Sequence, residues 1–253
     1  MYKRQGALWL AFGGFVAALI PLLLLERWVH RHLQGVALLL AGDPEVAVWL
    51  YALPLLPGVL LHELSHALAA RLLGVQIGRL SVLPSREGER IRLGFVPVEE
   101  AGAMKMALIG LAPLLAGCLV LLLIGHFGLR LGPVGAALAT GDWAGTLAGL
   151  RETLHAPDVW IWAYLAFAVS NTMLPSRSDL RAWPAILLFV AGAALPVALT
   201  GLGTALMAPT ANVLRWLAVL CALALLVDLP FALFILAAER GLGRLRRMRV
   251  EYR

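Results

Sequence analysis

The residues best equipped for chemistry form one short stretch, His62-Glu63-Leu64-Ser65-His66. Residues i and i+4 of a helix lie one turn apart on the same face. His62 and His66 can therefore turn a ring nitrogen each toward one metal ion. Zinc takes imidazole nitrogen at about 2.0–2.1 Å, and a catalytic site keeps one coordination position for water. Glu63, beside the first ligand, is placed to take a proton from that water. The plainer reading is three polar side chains that only hydrogen-bond to neighbouring helices. The setting weighs against it, because the motif lies in an apolar run from about Val46 to Leu73. A charged side chain at mid-bilayer costs about 2.5–3.5 kcal/mol, and such residues usually serve a function.

The surrounding chain must supply a membrane-embedded frame. It is 61% hydrophobic and 14% charged, with mean hydropathy +0.85, which excludes an ordinary soluble domain and points to an all-α polytopic membrane protein. Six transmembrane helices are expected, near Gly6–Leu25, Val46–Leu73, Met104–Gly125, Val159–Leu174, Trp183–Leu206 and Val213–Ala238. They form a single domain over residues 1–253, with a core over 46–183 and a basic tail over 239–253. Gly35–Ala41 is too short to span and reads as an interfacial or re-entrant piece. The N-terminal apolar run carries no small-residue cleavage site and reads as a retained span. Cys118 and Cys221 both fall inside spans, as small packing residues rather than a disulfide or metal pair.

The net charge of +6 does not imply nucleic acid, because the Lys and Arg flank apolar runs, where they set topology and meet lipid headgroups. An even number of spans would put both termini on one side. That side would then hold most of the 21 Lys and Arg, so positive-inside bias predicts a cell-membrane protein with both termini cytoplasmic. Between the second and third spans, Val75–Leu83 and Arg90–Val98 are β-branched-rich and partly alternating, with Pro84 to Glu89 between them. A β-hairpin over about 75–98 is predicted, either as a connector or as an edge able to hold an extended peptide. Gly141, Gly145 and Gly149 form a small-residue stripe on an expected interfacial helix. His30, His32, His126 and His155 sit near span ends or in loops, where solvation is the default. Asp228 precedes Pro230 by two residues, and its first reading is to satisfy backbone freed by that proline, with gating of substrate entry as the alternative.

Two histidines leave a zinc site incomplete, and Asp179 is the best candidate to complete it. It follows the fourth expected span, after Pro175, which disfavours regular helix and leaves backbone that can aim a carboxylate. Equally, Asp179 can cap a helix or pair with Arg177 or Arg181.

The motif in a membrane span, the extended segment after it, and Asn171 followed at eight residues by Asp179 resemble the site-2 protease family of intramembrane zinc metalloproteases, in its minimal six-span form without a PDZ domain. Differences from the family pattern are Ser178-Asp179-Leu180 in place of Leu-Asp-Gly, Pro175 four residues after Asn171, and Gly110-Leu111-Ala112-Pro113 in place of an adjacent Gly-Pro pair. The resemblance implies one Zn²⁺ per chain on His62, His66 and Asp179, Glu63 as the catalytic base, and Asn171 holding substrate. The implied substrate is a transmembrane protein segment cleaved in or near the bilayer. The competing class is a non-proteolytic membrane zinc-binding protein, either an inactive scaffold or a metal transporter. Charged residues within the expected spans are nearly confined to the motif and Asp228, which favours an enzyme over a transporter.

Overall fold

The computed structural model describes residues 2–87, 90–176, 178–184, 187–188, 192, 203–248 and 250. The polypeptide begins with one long helix, α1 (Tyr2–Ala41), carrying Pro21 in its interior. Gly42, at φ +70°, ends it in the left-handed conformation. Asp43 then caps α2 (Pro44–Ala52) by accepting the amides of Glu45 and Val46. A 3-10 turn at Leu53–Leu55 leads into α3 (Leu56–Leu72). After a paired segment come α4 (Ala103–Leu123), a π-turn at Ile124–Gly128, α5 (Gly132–Thr140), α6 (Trp143–His155) and α7 (Val159–Ser170). The last helix, α8, runs from Gly203 to Arg246.

Among the described residues, four helical stretches are long and apolar enough to cross a membrane: Gln5–Ala41, Pro44–Leu72, Ala103–Gly128 and Ala205–Arg246. Six were expected. The fourth expected span is the 12-residue α7, about 18 Å at 1.5 Å per residue against some 30 Å of hydrocarbon. The fifth, Trp183–Leu206, lies largely outside the described residues. Gly35–Ala41 is no separate piece but the last two turns of α1. Leu22, Val29, Leu55, Leu121, Phe167 and Leu220 fill the interior. Trp9, Leu10, Leu68, Leu115, Trp160 and Phe234 face outward, an apolar exterior that suits lipid and would be a liability in water.

α1 and α8 run side by side in the same direction. Ala7 shares a hollow with Ala208 and Ala211, His32 Nδ1 bonds Glu239 further along, and Arg246 Nη2 donates to the Leu40 carbonyl at 2.8 Å. If both cross the membrane, the start of α1 and the basic end of α8 lie on opposite faces. The expectation of both termini on one side rested on an even span count, and the parallel pair is the observation that bears on it.

The segment between α3 and α4 also departs from expectation. Instead of two nine-residue strands there are β1 (Ser85–Glu87) and β2 (Arg90–Arg92), paired antiparallel as Ser85 with Arg92 and Glu87 with Arg90. Above them stand two isolated bridges, Ile77 with Val98 and Ser81 with Phe95. From each pairing to the next, four steps on the first arm face three on the second. Such one-residue surpluses are bulges, which interrupt the ladder. Pro84 and Pro97 remove further donors.

The expected glycine stripe does not lie on one helix, because Gly141 forms the turn before α6 at φ +74°. Of the three, Gly149 serves close approach, since a Cβ there would stand 2.9 Å from Val134 Cγ2 of α5. Parallel α1 and α8 make a topological prediction. Single cysteines at Gly6 and Met248, in a chain with Cys118 and Cys221 replaced by Ala, are expected to react with a membrane-impermeant thiol reagent from opposite faces of sealed vesicles. Labelling of both from one face would contradict the parallel pair.

Candidate metal centre

The site is assembled where α3 passes between α4 and α7. Close approach to α7 depends on Gly58, where a Cβ would sit 2.0 Å from the Ala168 carbonyl oxygen and 2.2 Å from Thr172 Oγ1. One turn further along α3 the two imidazoles share a face, with ring centroids 4.8 Å apart and planes at 79°. Their Nε2 atoms are 3.2 Å apart.

Each ring is held from behind by a backbone carbonyl. His62 Nδ1 lies 2.6 Å from the Thr172 oxygen, and His66 Nδ1 lies 2.9 Å from the Ile109 oxygen. A carbonyl only accepts, so both Nδ1 atoms carry the proton and both Nε2 atoms present lone pairs. This is the outer-shell arrangement that orients metal-binding histidines.

The carbonyls are available for a local reason. In α4 the Ile109 oxygen would normally accept the N–H of residue 113, which is proline and has none. The Thr172 oxygen lies past the end of α7 and so has no helical donor, while the Ser176 N–H of the same turn donates to Asp179 Oδ2 at 2.7 Å. A buried carbonyl left without a partner costs about 1–3 kcal/mol, and the imidazoles remove that cost.

Asp179 arrives from the turn after α7, only 13% exposed, with Oδ1 3.3 Å from His66 Nε2 and Oδ2 3.7 Å from His62 Nε2. Of the alternative sequence readings, pairing with Arg177 lies outside the described residues. Asp179 does accept a backbone N–H in a cap-like way, yet the same carboxylate faces both rings. Among the described residues no arginine pairs with it. Burial pushes its carboxyl pKa up, but the two imidazoles and the Ser176 side chain outweigh burial and hold it well below the usual carboxylate range.

One ligand atom from each of His62, His66 and Asp179 lies within 4.8 Å of the others, so the group could hold a metal ion. Three ligands about 2.0–2.1 Å from a tetrahedral ion stand about 3.3–3.4 Å apart, close to the separations seen. Two lone pairs and a carboxylate converging at this range repel one another unless a cation or proton lies between them.

Glu63, 8% exposed, packs its Cγ and Oε1 against Gly94, just past β2. The segment after α3 therefore closes over this carboxylate. Asn171 is 1% exposed, and its amide nitrogen donates to the Phe167 carbonyl at 2.9 Å. The substrate-holding role implied for it has no exposed side chain to perform it. Asp228, fully buried, accepts the Ser170 hydroxyl at 2.8 Å. A side chain of α7, and not backbone freed by Pro230, gives it that bond. His126 and His155 are exposed as expected, whereas His30 and His32 lie within α1.

Ile109, Thr172 and Gly94 belong to the site and were not singled out from sequence, and Gly110 was named only as part of a difference from a family pattern. Pro113 was the one available signal, because a proline frees the carbonyl four residues before it. Compared with known proteins, the chain matches no family model, no curated protein and no solved structure.

The approach of α4 to the Asp179 turn yields a prediction. A Cβ on Gly110 would stand 2.3 Å from the Asp179 carbonyl oxygen. Gly110→Ala is expected to lower stability by about 1–3 kcal/mol through overpacking and to reduce bound metal by moving Asp179 off the rings. Thermal unfolding and metal analysis of the purified protein check both parts.

Proposed function

We propose that this protein is an intramembrane zinc metalloprotease, hydrolysing peptide bonds in or near the transmembrane segments of other membrane proteins. The observation that supports it most is the meeting of two imidazole nitrogens and a carboxylate with Glu63 beside them, on a helix stretch of membrane-spanning length. Two nitrogens and one carboxylate oxygen form a three-ligand set that suits zinc and leaves the fourth position open, as catalytic sites do. Zinc in such a site activates water near neutral pH and polarises a carbonyl.

The chain's own groups account for the rest. His62, His66 and Asp179 would hold the ion, with the Thr172 and Ile109 carbonyls fixing the rings. Glu63 takes the proton of the attacking water and returns it to the leaving amine nitrogen, as a general base and then a general acid. Packing against Gly94 limits the rotamers from which Glu63 acts. A peptide bond inside a helix is shielded by its own hydrogen bonds, so the substrate segment must unwind. Segments containing Gly or Pro unwind at least cost. The irregular 75–98 segment, with incomplete pairing beside Glu63, offers backbone groups to such an unwound strand.

Two variants test this reading. Glu63→Gln is expected to keep its zinc but lose about 10²–10⁴-fold in cleavage rate, read by fragment formation from co-expressed single-span membrane proteins carrying mid-span Gly or Pro. Cleavage by Glu63→Gln at the wild-type rate would refute the assigned base. His62→Ala and Asp179→Ala are each expected to lose bound zinc on elemental analysis of the purified protein. Full zinc retention by both would refute the ligand set.

A further inference from the structure

Beside the candidate centre, on its α1 side, lies a second set of polar groups, with Tyr51 and Asn171 buried and His30 and Glu26 half-buried. His30 of α1 lies with Nδ1 2.7 Å from the Tyr51 hydroxyl of α2 and Nε2 2.8 Å from the Asn171 carbonyl oxygen. Glu26, one turn earlier, places Oε1 3.9 Å from the same Nε2. The Asn171 oxygen can only accept, so Nε2 carries the proton, and Nδ1 accepts the Tyr51 O–H. The result is a directed chain from the Tyr51 hydroxyl through the imidazole to the Asn171 carbonyl.

That carbonyl, at the C-cap of α7, has no intrahelical donor, because the helix ends at Ser170. A longer helix would not supply one either, because residue 175 is a proline. Asn171 is 1% exposed, so water does not readily replace the missing donor. The next carbonyl along the chain, that of Thr172, holds His62, and the turn it begins ends at Asp179.

We propose that His30 is a positioning residue for the metal centre. It pins the Asn171 carbonyl and thereby sets both the acceptor that orients His62 and the take-off of the turn that delivers Asp179. α1, which carries no ligand, is on this account part of the site. The inference rests on the metal-binding reading above, and a single set of measurements separates their failures.

The full-length protein in detergent is loaded with Zn²⁺ for affinity, and with Co²⁺ to read coordination by its visible absorption bands. His30→Leu is expected to lose about 10–100-fold in zinc affinity, the range typical of outer-shell partners, and to alter the Co²⁺ bands. His30→Gln, whose amide N–H can still donate to Asn171, is expected to recover most of both. A merely structural role would lower thermal stability in all variants alike, with no selective rescue by Gln and no change in the bands. If wild type binds neither ion, the metal reading fails and this inference with it. If wild type binds and His30→Leu matches it in affinity and spectrum, the positioning role alone is overturned. Should His30→Leu not fold, Tyr51→Phe decides. It keeps the ring but frees Nδ1, and weaker zinc binding with altered bands supports the role, whereas wild-type values overturn it.

Discussion

A neutral imidazole has one proton to place, and the arrangement around α3 depends on where His62 and His66 place theirs. Both give it to a backbone carbonyl on a neighbouring element. The remaining nitrogens become lone pairs 3.2 Å apart with a carboxylate alongside. In water these groups would be screened and hydrated. Between packed helices they are neither, so the cluster makes electrostatic sense only around positive charge. The acceptors behind the rings therefore matter as much as the ligands themselves.

Those acceptors exist because α4 carries a proline in its interior and α7 stops at Ser170. Pro113 leaves the Ile109 carbonyl without an intrahelical donor, and the Asn171 carbonyl, at the C-cap of α7, has none because the helix ends there. In both cases the orphaned oxygen is taken by a histidine from another helix. The Thr172 carbonyl, in the turn past the end of α7, takes the His62 ring, and the Ser176 amide of the same turn donates to Asp179.

Close packing fixes the distances. Glycine at positions 58 and 110 lets α3 meet α7 and lets α4 meet the Asp179 turn at separations no Cβ would permit. The bulged segment after α3 stays irregular, since each surplus residue resets its register. Gly94 of this segment lies directly against Glu63.

Much of this could be read directly from residue order. The apolar runs established the membrane-protein class, and the i, i+4 spacing of His62 and His66 established a shared face, because helix geometry is local and fixed by the backbone. Asp179 was legible only as one of two equal readings: its distance from the rings depends on how a turn after α7 lies against α3, which residue spacing does not encode. The parallel course of α1 and α8, the carbonyl partners of the imidazoles and the inclusion of His30 were likewise decided by tertiary packing. Periodicity reports which residues form a helix and which face is apolar. It carries no information about the direction of a neighbouring helix or about which distant carbonyl is left waiting for a proton.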